Sequence, residues 1–165
     1  MGVFQSHNYL NQLHIPYTTA KFSPSTPKGA ENVANVLGLN VHQTVKTLIF
    51  KSDTGEFVLI MIGADQNVIS AHLKKVVGSR NVQLASPDEV ITTTGYQIGS
   101  IPPFSWQPEG FRSFLASDLM NEEFLAVGAG IWGNEILITP ANLVKASLAM
   151  VVNLTIRDQP IFPSA

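Results

Sequence analysis

Residues 44–63 read TVKTLIFKSDTGEFVLIMIG: two runs of β-branched, aromatic and aliphatic residues around the turn signal SDTGE. This pattern predicts a β-hairpin. A tight hairpin joins antiparallel neighbours, whereas every strand of a doubly wound parallel sheet needs a crossover connection. The hairpin therefore points to a mixed or antiparallel sheet. Lys46 interrupts the first run, between Val45 and the apolar tract that follows Thr47. A lysine in that place either snorkels from an edge strand or points into a polar cavity, where it becomes a cation able to hold a negative or carbonyl oxygen.

Working outward, SHNYLNQLHI carries Tyr9, Leu10 and Leu13 at helical spacing, with Ser6 as a possible N-cap, and PYTTAKF predicts a strand. In STPKGAENVANVLGLN, Thr26 is placed to cap a helix with Pro27 at its first position; Ala30, Val33, Ala34 and Leu37 form the apolar face and Gly38 ends it. Beyond the hairpin, SAHLKKVVG predicts a short helix stopped by Gly78. SPDEVITTTG offers a capping box, Ser86 with Glu89, and Pro87 in the first turn. RSFLAS, EEFLAVGAG and NEILIT read as strands, and TPANLVKASLAM as a helix capped by Thr139. The expected class is α/β or, more loosely, α+β, as one domain over residues 1–150, with residues 151–165 a tail left unassigned.

The bulk composition narrows the function classes. With 165 residues and 45% hydrophobic composition the chain can build a core without staples, and the absence of cysteine rules out disulfides and thiolate metal sites. His7, His14, His42 and His72 show no metal-ligand spacing, and no cofactor is expected. No apolar stretch is long enough to span a bilayer, so a soluble, cytoplasmic protein is expected, without membrane partners. A net charge of −2 excludes a protein that holds nucleic acid, DNA included, by charge alone.

GAGIWG, residues 128–133, matches the G-x-G-x-x-G pattern of dinucleotide sites. That fingerprint needs a helix to begin there and an acidic residue about 20 positions on. The alternating NEILIT follows instead, and no acid stands about 20 positions on, the nearest to that place being Asp158. A turn between two strands is the expected reading, and a nicotinamide cofactor is not. The other glycine-bearing segment, TGYQIGSIPPFSW at residues 94–106, has two glycines four apart and Pro102-Pro103 beside exposed-looking aromatics. It predicts a stiff loop that brings backbone N–H groups close to a ligand.

TVKTLIF, TGYQIGSIPPFS and SDLMNEEFLAVGAGIWGNEILITPANLVK, in that order, resemble the YbaK/ProX family of aminoacyl-tRNA editing domains, which also occur within bacterial prolyl-tRNA synthetases. The similarity runs from about Thr26 to Ala149. It implies a mixed, curved, barrel-like β-sheet core with helices packed around it. It also implies hydrolysis of the ester that joins a wrong amino acid to the terminal adenosine of a tRNA. A free-standing trans-editing enzyme is expected, acting on a tRNA for proline that carries a small wrong amino acid, with prolyl-tRNA synthetase as a possible partner. Lys46 falls on the family's functional lysine. Its glycine loop corresponds to Gly95, Gly99, Ser100, Pro103 and Ser105, with serine in place of glycine at 100 and 105.

Asp118 matches a family aspartate, for which a helix-capping role is the plainer expectation. Gly128 and Gly130 fall near the small-residue edge of the family's pocket. The mechanism implied is attack by water assisted by the substrate's own 2′-hydroxyl, without metal or covalent intermediate. The alternative is a module with weakened catalysis that binds aminoacyl or nucleotide ligands, favoured by the two loop serines and opposed by Lys46. Lys28, Lys46, Lys51, Lys74, Lys75, Arg80 and Arg112 are the cations available for a basic face toward the acceptor end.

Overall fold

The computed structural model describes residues 4–157. Helix α1 (Gln5–Gln12) leads into β1 (Thr18–Lys21), and α2 (Ala30–Leu37) and a 3-10 turn, Val41–Gln43, precede the hairpin of β2 (Val45–Ser52) and β3 (Phe57–Gly63). There follow α3 (Ser70–Val77), β4 (Val82–Leu84), α4 (Pro87–Thr94), β5 (Arg112–Ala116), a second 3-10 turn at Ser117–Asn121, β6 (Leu125–Gly128), β7 (Asn134–Ile138), α5 (Pro140–Ser147) and β8 (Met150–Val152).

The hairpin is antiparallel, pairing Lys46 with Ile62 and Phe50 with Val58. It lies within a five-stranded sheet of order β4-β2-β3-β5-β8, in which β3–β5 and β5–β8 are parallel. Chain segments long enough to cross over separate both parallel pairs, so the sheet is mixed as expected. A second sheet, β1-β7-β6, is wholly antiparallel. The expected barrel-like closure is not formed: the two sheets stay open and touch through a parallel bridge from Thr44 to Ala126. Residues 58–62 of β3 are buried throughout, because this strand is flanked on both sides and covered on both faces. Its continuous apolar run thus marks the centre of the sheet.

Several helix boundaries follow the sequence signals. Ser86 accepts from the Glu89 N–H while the Glu89 carboxylate accepts from the Ser86 N–H, so the capping box closes. Thr139 accepts from the Asn142 N–H at 3.3 Å. Gly38 and Gly78 end α2 and α3 in the left-handed conformation.

Two caps fall elsewhere. The N-cap of α1 is Phe4, and the Ser6 hydroxyl, fully buried, donates instead to the Ala129 carbonyl at 2.6 Å. Helix α2 begins three residues after Pro27, with Gly29 as N-cap, because the Thr26 carbonyl is taken by the Trp132 indole N–H at 3.0 Å. In both places a long-range hydrogen bond outweighs a local one. The tail from residue 151, for which the sequence predicts no element, takes in the end of β8 and the fully buried Leu154, whose carbonyl accepts from the Ile69 N–H at 2.8 Å.

The proline loop differs from its expected bareness. Residues 101–104 are buried, and Phe104 is inaccessible to solvent, stacked at 5.8 Å on Tyr9. Burying one such ring stabilises by about 1.5–3 kcal/mol. Trp106 donates to the Pro102 carbonyl at 2.6 Å and Gln107 to the Pro103 carbonyl at 2.8 Å. One end of the loop is thus plugged into the core, which fixes the other end against the sheets.

Candidate functional site

A cavity of about 310 Å³ lies among α2, the first half of β2, the glycine loop and the β6–β7 hairpin. Val33, Val45, Leu48, Ile98 and Ile101 supply apolar wall, and Lys46, Glu135 and Trp132 bring polar atoms to it. Lys46 lies on a half-strand. Strand β4 pairs only with Phe50–Ser52, so the stretch of β2 around Lys46 has β3 on one side and the cavity on the other. Both sequence readings of this lysine therefore contribute: the strand edge is open there, and the opening is the cavity. Its ammonium donates to the Gln66 carbonyl at 2.6 Å, which fixes a charge at the cavity wall.

The backbone that receives Lys46 is itself braced. His42 Nδ1 meets Asp65 Oδ1 at 2.8 Å and Nε2 meets Asp118 Oδ2 at 3.2 Å, while Thr155 donates to Asp118 at 3.3 Å. A Cβ on Gly63 would fall 2.8 Å from His42 Nδ1, so the bare glycine makes room for this imidazole. Burial opposes the charged ring. The Asp65 hydrogen bond and the charges of Asp65, Asp118 and Glu122 outweigh it, and His42 titrates above its ordinary value. Asp118 is thus a brace between the two 3-10 turns and not a cap, since no side-chain cap bond forms there.

Glu135 was not singled out from the sequence. It pairs with Gly128 on one side and Ala20 on the other, is 7% exposed, and lines the cavity. Burial pushes its carboxyl up to about 8, so it is a neutral acid at pH 7. The signal was present: NEILIT places an acid inside a β-forming run, the same anomaly that draws attention to Lys46. Trp132, also missed, stacks edge-on against Phe22 at 4.9 Å and carries the Lys28 ammonium 4.5 Å above its ring.

Of the loop and edge residues, the structure brings Gly99 and Gly128 to the cavity with Lys46. Gly95 terminates α4 and its N–H bonds to the Ile91 carbonyl, so that donor is already used. Ser100 is 5% exposed and its N–H bonds to Gln97, while Pro103 is buried; neither lines the cavity. Gly130 seats the Tyr96 ring, whose Cε1 would lie 2.9 Å from an added Cβ. Two of the cations expected on a basic face are engaged elsewhere: Arg112 forks onto Glu56 at 2.7 and 2.8 Å, and Lys51 pairs with Glu89 at 2.9 Å.

A fixed ammonium, a buried carboxylic acid and glycine backbone around an apolar cavity suit hydrolysis of an ester that carries a small acyl group. Comparison with known proteins gives that class its family. The aminoacyl-tRNA editing domain model matches residues 25–146. The multifunctional Ser/Thr-tRNA deacylase ProXp-y of Escherichia coli strain K12 is 30% identical over 128 residues, 74% of this chain and 75% of its own.

Proline–tRNA ligase of Staphylococcus aureus strain Newman is 34% identical over 83 residues, half of this chain but 14% of the ligase. A solved structure described as a candidate trans-editing enzyme for prolyl tRNA synthetase superposes with a TM-score of 0.82, at 24% identity, over 93% of this chain and 96% of its own. The chain belongs to the aminoacyl-tRNA editing domain family, and its class of activity is aminoacyl-tRNA deacylation. Among the described residues no helix is long and apolar enough to cross a membrane.

Proposed function

We propose that this chain removes a small, wrongly attached amino acid from tRNA, with tRNA for proline as the first candidate, in the cytoplasm and alongside prolyl-tRNA synthetase. The observation that carries the reading is the pairing of Lys46 and Glu135 across one apolar cavity. An aminoacyl ester brings a carbonyl and an α-ammonium. Among the described residues no counter-ion offsets the burial of the Glu135 acid, and the incoming ammonium supplies one, releasing the proton to solvent.

Lys46, held by the Gln66 carbonyl, then faces the ester carbonyl. Water adds to that carbon, the carbonyl oxygen takes the negative charge, and the ammonium together with backbone N–H near Gly99 offsets it as the bond to the ribose oxygen breaks. The proton lost by the water passes to the departing ribose oxygen, with the neighbouring 2′-hydroxyl as the relay. The cavity's volume and the apolar wall of Val33 and Ile98 support a small side chain. Neither Ser100 nor Ser105 lines it, which supports an active enzyme over a binding-only module.

Lys46→Ala should lower deacylation of the preferred mischarged tRNA about 100-fold or more, by analogy with removal of one oxyanion-stabilising donor. The assay is a panel of seryl-, threonyl-, alanyl- and cysteinyl-tRNA, with folding checked by circular dichroism. A variant that turns over at the wild-type rate removes Lys46 from the site.

A further inference from the structure

Beside the acyl cavity lies a second one of about 280 Å³, further along β2 and lined by residues of α3 and β4. The two share Lys46 and Leu48. Their chemistry differs. The first contains the buried acid Glu135; no carboxylate lines the second, whose walls include Phe50, Leu73 and Leu84, with the Asn67 amide and the Ser70 hydroxyl at hand. Leu84 is 61% exposed on a three-residue edge strand, a large apolar side chain the core does not use.

We propose that this second groove holds the terminal adenosine of the tRNA. The inference rests on the deacylase reading and extends it. The substrate is two bodies joined by one ester, so it needs two neighbouring sites with the hydrolytic group between them. Lys46 is the polar residue common to both cavities. A purine can lay one apolar face on the wall made by Phe50 and Leu84, cross-strand neighbours in the β2–β4 ladder, and turn a hydrogen-bonding edge to Asn67, and base stacking on such a wall is a general mode of single-strand binding. The helix α3, which supplies Ser70 and Leu73 to the groove, also carries Lys74 and Lys75, the cations that would serve the adjoining phosphate.

The test has two arms. Adenosine 5′-monophosphate, titrated into the isotope-labelled protein, should shift the amides of Asn67, Ser70, Val82 and Leu84. Shifts confined to the Glu135 cavity, or none at millimolar ligand, overturn the proposal whatever the enzyme's substrate proves to be. In kinetics, Leu84→Asp should raise KM for aminoacyl-tRNA about tenfold, and the loss in kcat/KM should exceed by about tenfold any loss on the methyl ester of the same amino acid, which has no nucleoside. Equal losses on both esters, or an unchanged KM, place the adenosine elsewhere. Leu84→Ala, a milder change at an exposed position, should fall between the two. If the wild type cleaves neither ester, the deacylase reading fails, and the nucleotide titration still decides the groove.

Discussion

Gly99 and Gly128 both line the acyl cavity, yet the loop and the hairpin strand that carry them use glycine for opposite reasons. Gly99 has φ 93°, with nothing within 4 Å of where a Cβ would stand. Its conformation, not its surroundings, calls for glycine. Gly128 lies in ordinary strand geometry, but a Cβ there would fall 3.1 Å from the Ser100 carbonyl carbon and 3.2 Å from the Ser100 and Ile101 oxygens. It is bare so that the loop backbone can lie across the strand. The two segments form one device: the hairpin is the bed and the loop is what rests on it. A glycine motif by itself does not distinguish these uses.

The largest expected effect falls on Glu135, directly opposite Gly128 in the ladder. Its folded value of about 8 exceeds its ordinary value of 4.5, so the folded state keeps a proton that the unfolded chain releases. Stability is therefore lost as pH rises from 4.5 to 8, by at most about 1.4 kcal/mol per pH unit. His42 acts in the same direction: its value is raised, so its stabilisation is complete below 6.5 and lost as pH passes its folded value. Urea unfolding of wild type and Glu135→Gln at pH 5, 6, 7 and 8 separates the two groups. The variant should gain on wild type at each step upward, and a constant difference would mean that Glu135 is already ionised.

Gly128→Ala should cost about 2 kcal/mol, because the added methyl meets loop backbone that cannot turn aside. It should also lower deacylation, by displacing Gly99 from the cavity. Gly99→Ala should cost about 1–2 kcal/mol from the left-handed conformation alone, with no displacement of the hairpin. Chemical shifts of the β6 and β7 amides tell these apart: large in the first variant, small in the second. If both variants perturb the hairpin equally, the contrast between packing and conformational glycines does not hold.

The smallest effect is a gain. Ser105 has φ 84° and a buried hydroxyl with no partner, at a position where the resembling family carries glycine. Ser105→Gly relieves the backbone strain and the unsatisfied oxygen, against the greater freedom of glycine in the unfolded chain. The net expectation is about 1 kcal/mol of added stability, or a Tm higher by about 2–4 °C. Loss of stability on this change would show that the serine is held by an interaction the loop geometry conceals.

Much was legible in the sequence because its signals act over short distances. The hairpin, the Ser86–Glu89 capping box, the Thr139 cap and the strand–turn–strand course of GAGIWG each depend on neighbours a few residues apart, and each formed as expected. Lys46 stood out because a charge within an apolar β run is costly unless it has a place to go. Tertiary structure decided what that place was. No local rule could foretell that β4 would stop short of Lys46, that Trp132 would take the Thr26 carbonyl and move the start of α2, or that Asp118 would bind His42 and not a helix end. Burial of Glu135 likewise exists only once both sheets enclose it, since desolvation is a property of the assembled surroundings and not of the residue.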